Sequence, residues 1–168
     1  MSISALNLSG SARLPAIRQN EAAECGLAAL AMVAGYYGFK TDLASLRRKY
    51  AGGLQGMTLK HVIDVARKMQ FGTRPIKVPL QMIGQVKLPA ILHWDMNHFV
   101  VLKAVSGKKF TVHDPAFGER TYNEEEFSGH FTGIALELTP TSNFKKREEK
   151  VSLKLTDLWG RMYGVGAA

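Results

Sequence analysis

Arg18-Gln19-Asn20-Glu21-Ala22-Ala23-Glu24-Cys25-Gly26-Leu27-Ala28-Ala29-Leu30-Ala31-Met32 is the stretch from which the rest of the chain can be read. It holds the only cysteine, at the start of the most helix-like apolar run in the sequence. Glu21 and Glu24 precede that run, and acidic residues suit the first turn of a helix, where the dipole is positive. The same positive end favours the thiolate form of a thiol placed there. A lone cysteine with histidine and aspartate further on is a candidate nucleophile. Free cysteine is equally at home as a small buried hydrophobe. Placement alone does not choose between these; a base and a group to orient it must exist downstream.

The bulk properties bound the answer. A length of 168 residues suits one domain with a substantial core. With 46% hydrophobic and 21% charged residues, the composition is that of a globular protein. One cysteine excludes an internal disulfide framework and fits a reducing compartment. The 22 basic and 14 acidic residues leave a net charge of +8. There is no basic helix interleaved with base-stacking aromatics and no zinc-finger spacing, so no nucleic-acid partner is expected. The excess charge fits a solvated basic surface or nearness to an anionic inner membrane leaflet. Met1 to Arg13 lacks the basic start and apolar core of a secretory signal. The longest uncharged run, Gly26 to Phe39, is far short of the ~20 residues that span a bilayer. The chain as given reads as soluble.

The front half reads as helical. Residues 1–13 form a flexible arm and Leu14 to Ile17 a short extended entry. Leu27, Leu30, Met32, Val33 and Ala34 give helical spacing to a first helix over Glu24 to Tyr37, closed by Gly35 and Gly38. Thr41 or Asp42 caps a second, Leu43 to Tyr50, whose Arg47-Arg48-Lys49 suits the negative end of the helix dipole. Gly52, Gly53 and Gly56 mark a loop, and Thr58 caps a third helix, Leu59 to Met69. After Gly72 the period changes. Strands are expected over Thr73 to Val78, Pro89 to Trp94, His98 to Val105, Phe110 to His113, Gly118 to Tyr122 and Gly133 to Leu138. Leu80 to Val86 and Glu124 to His130 read as short helices between them. Helices first and antiparallel strands after argue for an α+β domain over residues 14–140. Residues 141–168 read as a linker that carries the mildly amphipathic Val151 to Tyr163 and ends abruptly in Gly164 to Ala168.

A thiol nucleophile needs a base, a group that orients the base, and donors for the oxyanion. His61 on an amphipathic helix and His130 near a helix end read as surface residues, which leaves His93, His98 and His113. His98 opens the strongest strand just after the turn Asp95 to Asn97, and Asp114 ends the neighbouring strand. A four-residue hairpin loop sets Ala104 opposite Lys109 and brings His98 within about one residue of Asp114; a two-residue turn sets Asp114 nearer Val101. The sequence leaves both registers open. Spacing also permits a metal site among His93, Asp95, His98, His113 and Asp114, although none has the helical i, i+4 spacing of a zinc-peptidase motif.

Three blocks carry a resemblance. Gln19 to Met32, Asn97-His98-Phe99-Val100-Val101-Leu102 and His113-Asp114-Pro115-Ala116 resemble the C39 peptidase family, the papain-like N-terminal domains of bacteriocin ABC transporters of the colicin V exporter type. Gly56 to Leu59 and Phe131 to Glu137 fit the same pattern. The resemblance implies a papain-like cysteine peptidase fold, with a helical N-terminal half packed on an antiparallel sheet. It implies Cys25 as nucleophile, His98 as general base and later acid, Asp114 as its orienter, and Gln19 as oxyanion donor with the Cys25 backbone N–H. It further implies removal of double-glycine-type leader peptides coupled to export, on the cytoplasmic face of the bacterial inner membrane. The partners implied are the leader of a precursor peptide and the transmembrane and ATPase domains of the same transporter. No Gly-x-x-x-x-Gly-Lys-Ser/Thr motif occurs, so no cofactor is expected here and ATP belongs to a nucleotide-binding domain. Two other readings stand beside this one: a leader-binding docking module without turnover, and a thiol acyltransferase sharing the triad.

Overall fold

The computed structural model describes residues 12–50 and 57–149. The first helix, α1 (Cys25–Tyr36), follows a 3-10 turn at Ala22–Glu24. The periodicity predicts one apolar face, but every residue from Cys25 to Ala34 is buried. Small alanines fill the positions between the larger side chains, and a helix apolar all round belongs in the centre of a core. Strand β1 (Phe39–Thr41) follows, then α2 (Leu43–Tyr50) over its expected range and α3 (Leu59–Lys68). Thr58 caps α3 as its position predicts, its side chain accepting the His61 N–H. The glycine loop lies at residues 51–56, outside the described residues.

Strands β2 (Phe71–Lys77), β3 (Ala90–Trp94), β4 (His98–Ser106), β5 (Lys109–Asp114), β6 (Gly118–Asn123) and β7 (Phe131–Pro140) form one antiparallel sheet. Its order is β2-β7-β3-β4-β5-β6. A 3-10 segment at Leu80–Gln85 and helix α4 (Glu124–His130) interrupt the strand run. Asn123 and Glu126 cap α4 reciprocally, each side chain accepting the other's backbone N–H at 2.9 Å. One core lies between the sheet and α1–α3, where Ile91, Phe99, Val101 and Leu136 meet the helices. The alternate residues Leu92, Val100, Leu102 and Ala135 face a second core closed by Ile83 and Phe127. That alternation is the period-2 signature of a sheet covered on both faces. An α+β architecture is what the helix-then-strand order predicts.

Residues 141–149, expected as linker, carry structure. Phe144 packs on Phe71 with ring centroids 4.8 Å apart, and β8 (Arg147–Glu149) pairs in parallel with β1. The Arg147 guanidinium lies 3.9 Å from the Phe39 ring centroid, and Lys49 pairs with Glu149. The rest of the expected linker and residues 1–11 of the arm lie outside the described residues. Among the described residues, no helix is long and apolar enough to cross a membrane.

Candidate active site

Cys25 is the first residue of α1 and is 2% exposed, so its sulfur is held at the positive end of a buried helix. The base reaches it from β4. Gly107 and Lys108 make a two-residue turn, with Ser106 paired to Lys109. That turn alone would set Asp114 across from Val101. A bulge between Leu102 and Ala104 leaves Lys103 without a partner and shifts the ladder, so Val101 pairs with His113. The next step along that register sets Asp114 across from Val100, diagonal to His98. Neither register read from the sequence is the observed one, because neither contains the bulge.

The consequence is a short contact: His98 Nε2 donates to Asp114 Oδ1 at 2.8 Å. Asp114 is 3% exposed, and its Oδ1 also accepts the Ala116 N–H at 2.7 Å. Burial pushes the Asp114 carboxyl up, but His98 and the N–H groups of Ala116 and Phe117 hold it below the ordinary carboxylate range. Burial likewise opposes the charged form of His98. Its hydrogen bonds to Asp114 and Cys25, with the charges of both, outweigh burial and raise it to about 9. With Nε2 on Asp114, the ring's Nδ1 is the nitrogen left for the thiol. The dyad thus fixes both the tautomer and the orientation of a base beside a sulfur.

Gln19 enters from the N-terminal segment. Its backbone N–H donates to the Pro115 carbonyl at 2.9 Å, one residue beyond Asp114. Its Oε1 is buried without a hydrogen-bond partner, so that atom does not tie the amide into the protein's own network. His113 holds the same segment: Nδ1 lies 3.0 Å from the Pro15 carbonyl and Nε2 2.7 Å from Glu119. All four predicted site residues therefore converge on one end of the sheet.

Asp95 and the other four histidines are dispersed. His93 bonds Thr132, and His130 bonds Asp95 and stacks on Trp94. His113 is occupied as described, and His61 is exposed. Among the described residues, no group of three or more histidine, cysteine or acidic side chains converges as a metal site.

Sequence reasoning missed one element of the site. Arg47, read as complementing the α2 dipole, instead reaches Glu24, the residue before Cys25, donating from Nε at 2.7 Å and from Nη2. The only sequence signal was an acid beside the cysteine.

The model of the Peptidase C39 family matches residues 13–143. The chain belongs to the C39 peptidase family. This C39 peptidase is 42% identical over 163 residues to the probable microcin-H47 secretion/processing ATP-binding protein MchF of Escherichia coli. It is 41% identical over 163 residues to the colicin V secretion/processing ATP-binding protein CvaB of the same species. Each alignment covers 97% of this chain, and the chain spans 23% of the length of each of these relatives. Among solved structures, a double glycine motif protease from an AMS/PCAT transporter, in complex with its leader peptide, matches with a TM-score of 0.72 and 37% identity. That match covers 80% of this chain and 96% of the other. The peptidase domain of Streptococcus ComA, a bifunctional ABC transporter, matches with a TM-score of 0.70 and 28% identity, over 77% of this chain and 100% of that domain. The C39 chain is a cysteine peptidase in an α+β fold with a six-stranded antiparallel sheet.

Proposed function

We propose that this chain removes double-glycine-type leaders from peptide precursors, with Cys25 as the nucleophile. The observation that carries the reading is the buried His98–Asp114 contact at 2.8 Å beside a thiol at a helix start. Cys25 gives its thiol proton to His98, and Sγ attacks the carbonyl carbon of the second glycine. The oxyanion that forms is met by the Gln19 amide and the Cys25 backbone N–H. His98 then gives its proton to the leaving amine, and the thioester remains on Cys25. His98 next acts as base for the water that hydrolyses the thioester, with Asp114 holding the ring throughout. All the groups used belong to the chain, and no cofactor enters the scheme. Glycine at the cut lets the peptide backbone approach the sulfur in a narrow cleft, because it carries no side chain. The leader-bound relative, 37% identical, supports this substrate class.

The secretion/processing names of the Escherichia coli relatives support a place within an exporter. In this reading the chain's partners are the transmembrane and ATPase domains of the same transporter. It works at the cytoplasmic face of the bacterial inner membrane, and ATP is used only in the nucleotide-binding domain.

The test is cleavage of a peptide with an amphipathic leader ending in Gly-Gly, read by mass. The wild type is expected to cut after the second glycine, and Cys25→Ala to lose about a thousandfold or more in kcat. Tight leader binding by both proteins with no cut by either would make the chain a docking module. Transfer of the acyl group to an added amine in preference to water would make it an acyltransferase.

A further inference from the structure

Glu24 is a buried carboxylate that the chemistry above does not use. It is 6% exposed and occupies the N-cap position of α1, yet its side chain caps none of that helix's N–H groups. It turns the other way. Oε2 accepts the N–H of Asn20 at 3.0 Å and of Glu21 at 3.2 Å, while Oε1 takes the Arg47 guanidinium from α2. Burial pushes this carboxyl up, but Arg47 and the two N–H groups hold it below the ordinary range, so it stays charged.

The location gives the arrangement its meaning. Asn20 follows Gln19 directly, and Cys25 follows Glu24 directly. Gln19 is therefore fixed from two sides: its own N–H is on Pro115, beside Asp114, and its neighbour's N–H is on Glu24, beside Cys25. An unneutralised carboxylate next to the sulfur would oppose both thiolate and oxyanion; the two-pronged Arg47 contact offsets that charge.

We infer that the Glu24–Arg47 pair is a positioning clamp that sets the spacing between the Gln19 amide and Cys25, and with it the geometry of the oxyanion site. The inference rests on the peptidase reading above. Glu24 and Arg47 touch no reacting atom; they act through Gln19 and Cys25. Misplacing an oxyanion donor costs turnover and leaves ground-state binding of the leader nearly unchanged.

The experiment compares the 168-residue wild type with Glu24→Ala, Arg47→Ala, their double variant and the milder Arg47→Lys. Three readouts are taken: kcat and KM on the Gly-Gly leader peptide, the rate of Cys25 alkylation by iodoacetamide, and hydrogen exchange at the Asn20 and Glu21 amides. Each alanine variant is expected to lose roughly 10- to 100-fold in kcat with KM changed by no more than about twofold. In Glu24→Ala and the double variant, alkylation, which forms no oxyanion, is expected to stay within about threefold of wild type, whereas Arg47→Ala, which leaves the Glu24 charge beside the sulfur, is expected to slow it. The double variant is expected to match Glu24→Ala within about threefold, since the two residues act as a unit, and Arg47→Lys to fall between. A rise in KM with kcat retained, or alkylation falling in step with kcat in Glu24→Ala and the double variant, would overturn the clamp. A wild type that alkylates but cuts nothing counts against the peptidase reading, and exchange then decides the clamp by itself. Exchange at Asn20 and Glu21 at least about tenfold faster in Glu24→Ala, with β4 amides unchanged, upholds it; unchanged protection there overturns it.

Discussion

His98 holds its proton more tightly than a free imidazole, and that has a consequence for pH. Its pKa is raised from an ordinary 6.5 to about 9, against burial, by its contacts with Asp114 and Cys25. A group raised in the folded state contributes stability that is complete below its unfolded pKa and is lost as pH rises through the folded one. The urea midpoint is therefore expected to fall between about pH 6.5 and 9, and His98→Gln to remove most of that slope. Asp114 works in the opposite sense: its lowered pKa contributes stability above its ordinary 3.8 that is lost as pH falls through the depressed value. In kcat/KM, loss of the His98 proton is expected to appear as an alkaline limb near pH 9. A midpoint as pH-dependent in His98→Gln as in wild type would assign the slope to other groups.

At the scale of elements, the site depends on how closely α1 lies against α3. A Cβ on Gly26 would stand 2.9 Å from Val62 Cγ2 and 3.3 Å from Met57. Gly26→Ala is expected to force the helices apart at the residue after the nucleophile, costing about 1–3 kcal/mol of stability. A shift near 1 Å at the sulfur would cost about a hundredfold in kcat. Adding Val62→Ala makes room and is expected to restore a large part of the activity; a second variant no more active than the first would place the damage elsewhere. The hairpin supplies the other half of the site. Periodicity located β4 and β5, but the bulge at Lys103 sets which of their residues face each other. Gly118, at φ +90, closes the short turn after Asp114 that lets β6 pair back against β5.

Across the whole molecule, the segment after the sheet is part of the fold. Phe144 rests on Phe71, and β8 pairs with β1 close to α2, the helix that carries Arg47. Phe144→Ala is expected to cost about 2 kcal/mol, since the ring is half-buried, and to lower Tm by about 4–8 °C. A Tm unchanged within a degree or so would show that this segment adds no stability. Polar composition hid this docking: Thr141 to Lys150 carries a single large apolar side chain. Local pattern sufficed for much else. Apolar spacing, caps and the change of period at Gly72 located the helices and the sheet strands within a few residues, because propensity and capping act between near neighbours. The thiol at a helix start and the histidine after a turn were legible for the same reason. The tertiary structure alone decided that α1 is buried on every side, that a bulge brings Asp114 to His98, and that Arg47 answers Glu24. Each of these is a contact between residues far apart in the chain, 23 positions in the last case. Such partners leave no local period in the sequence, and only packing selects among the many that composition permits.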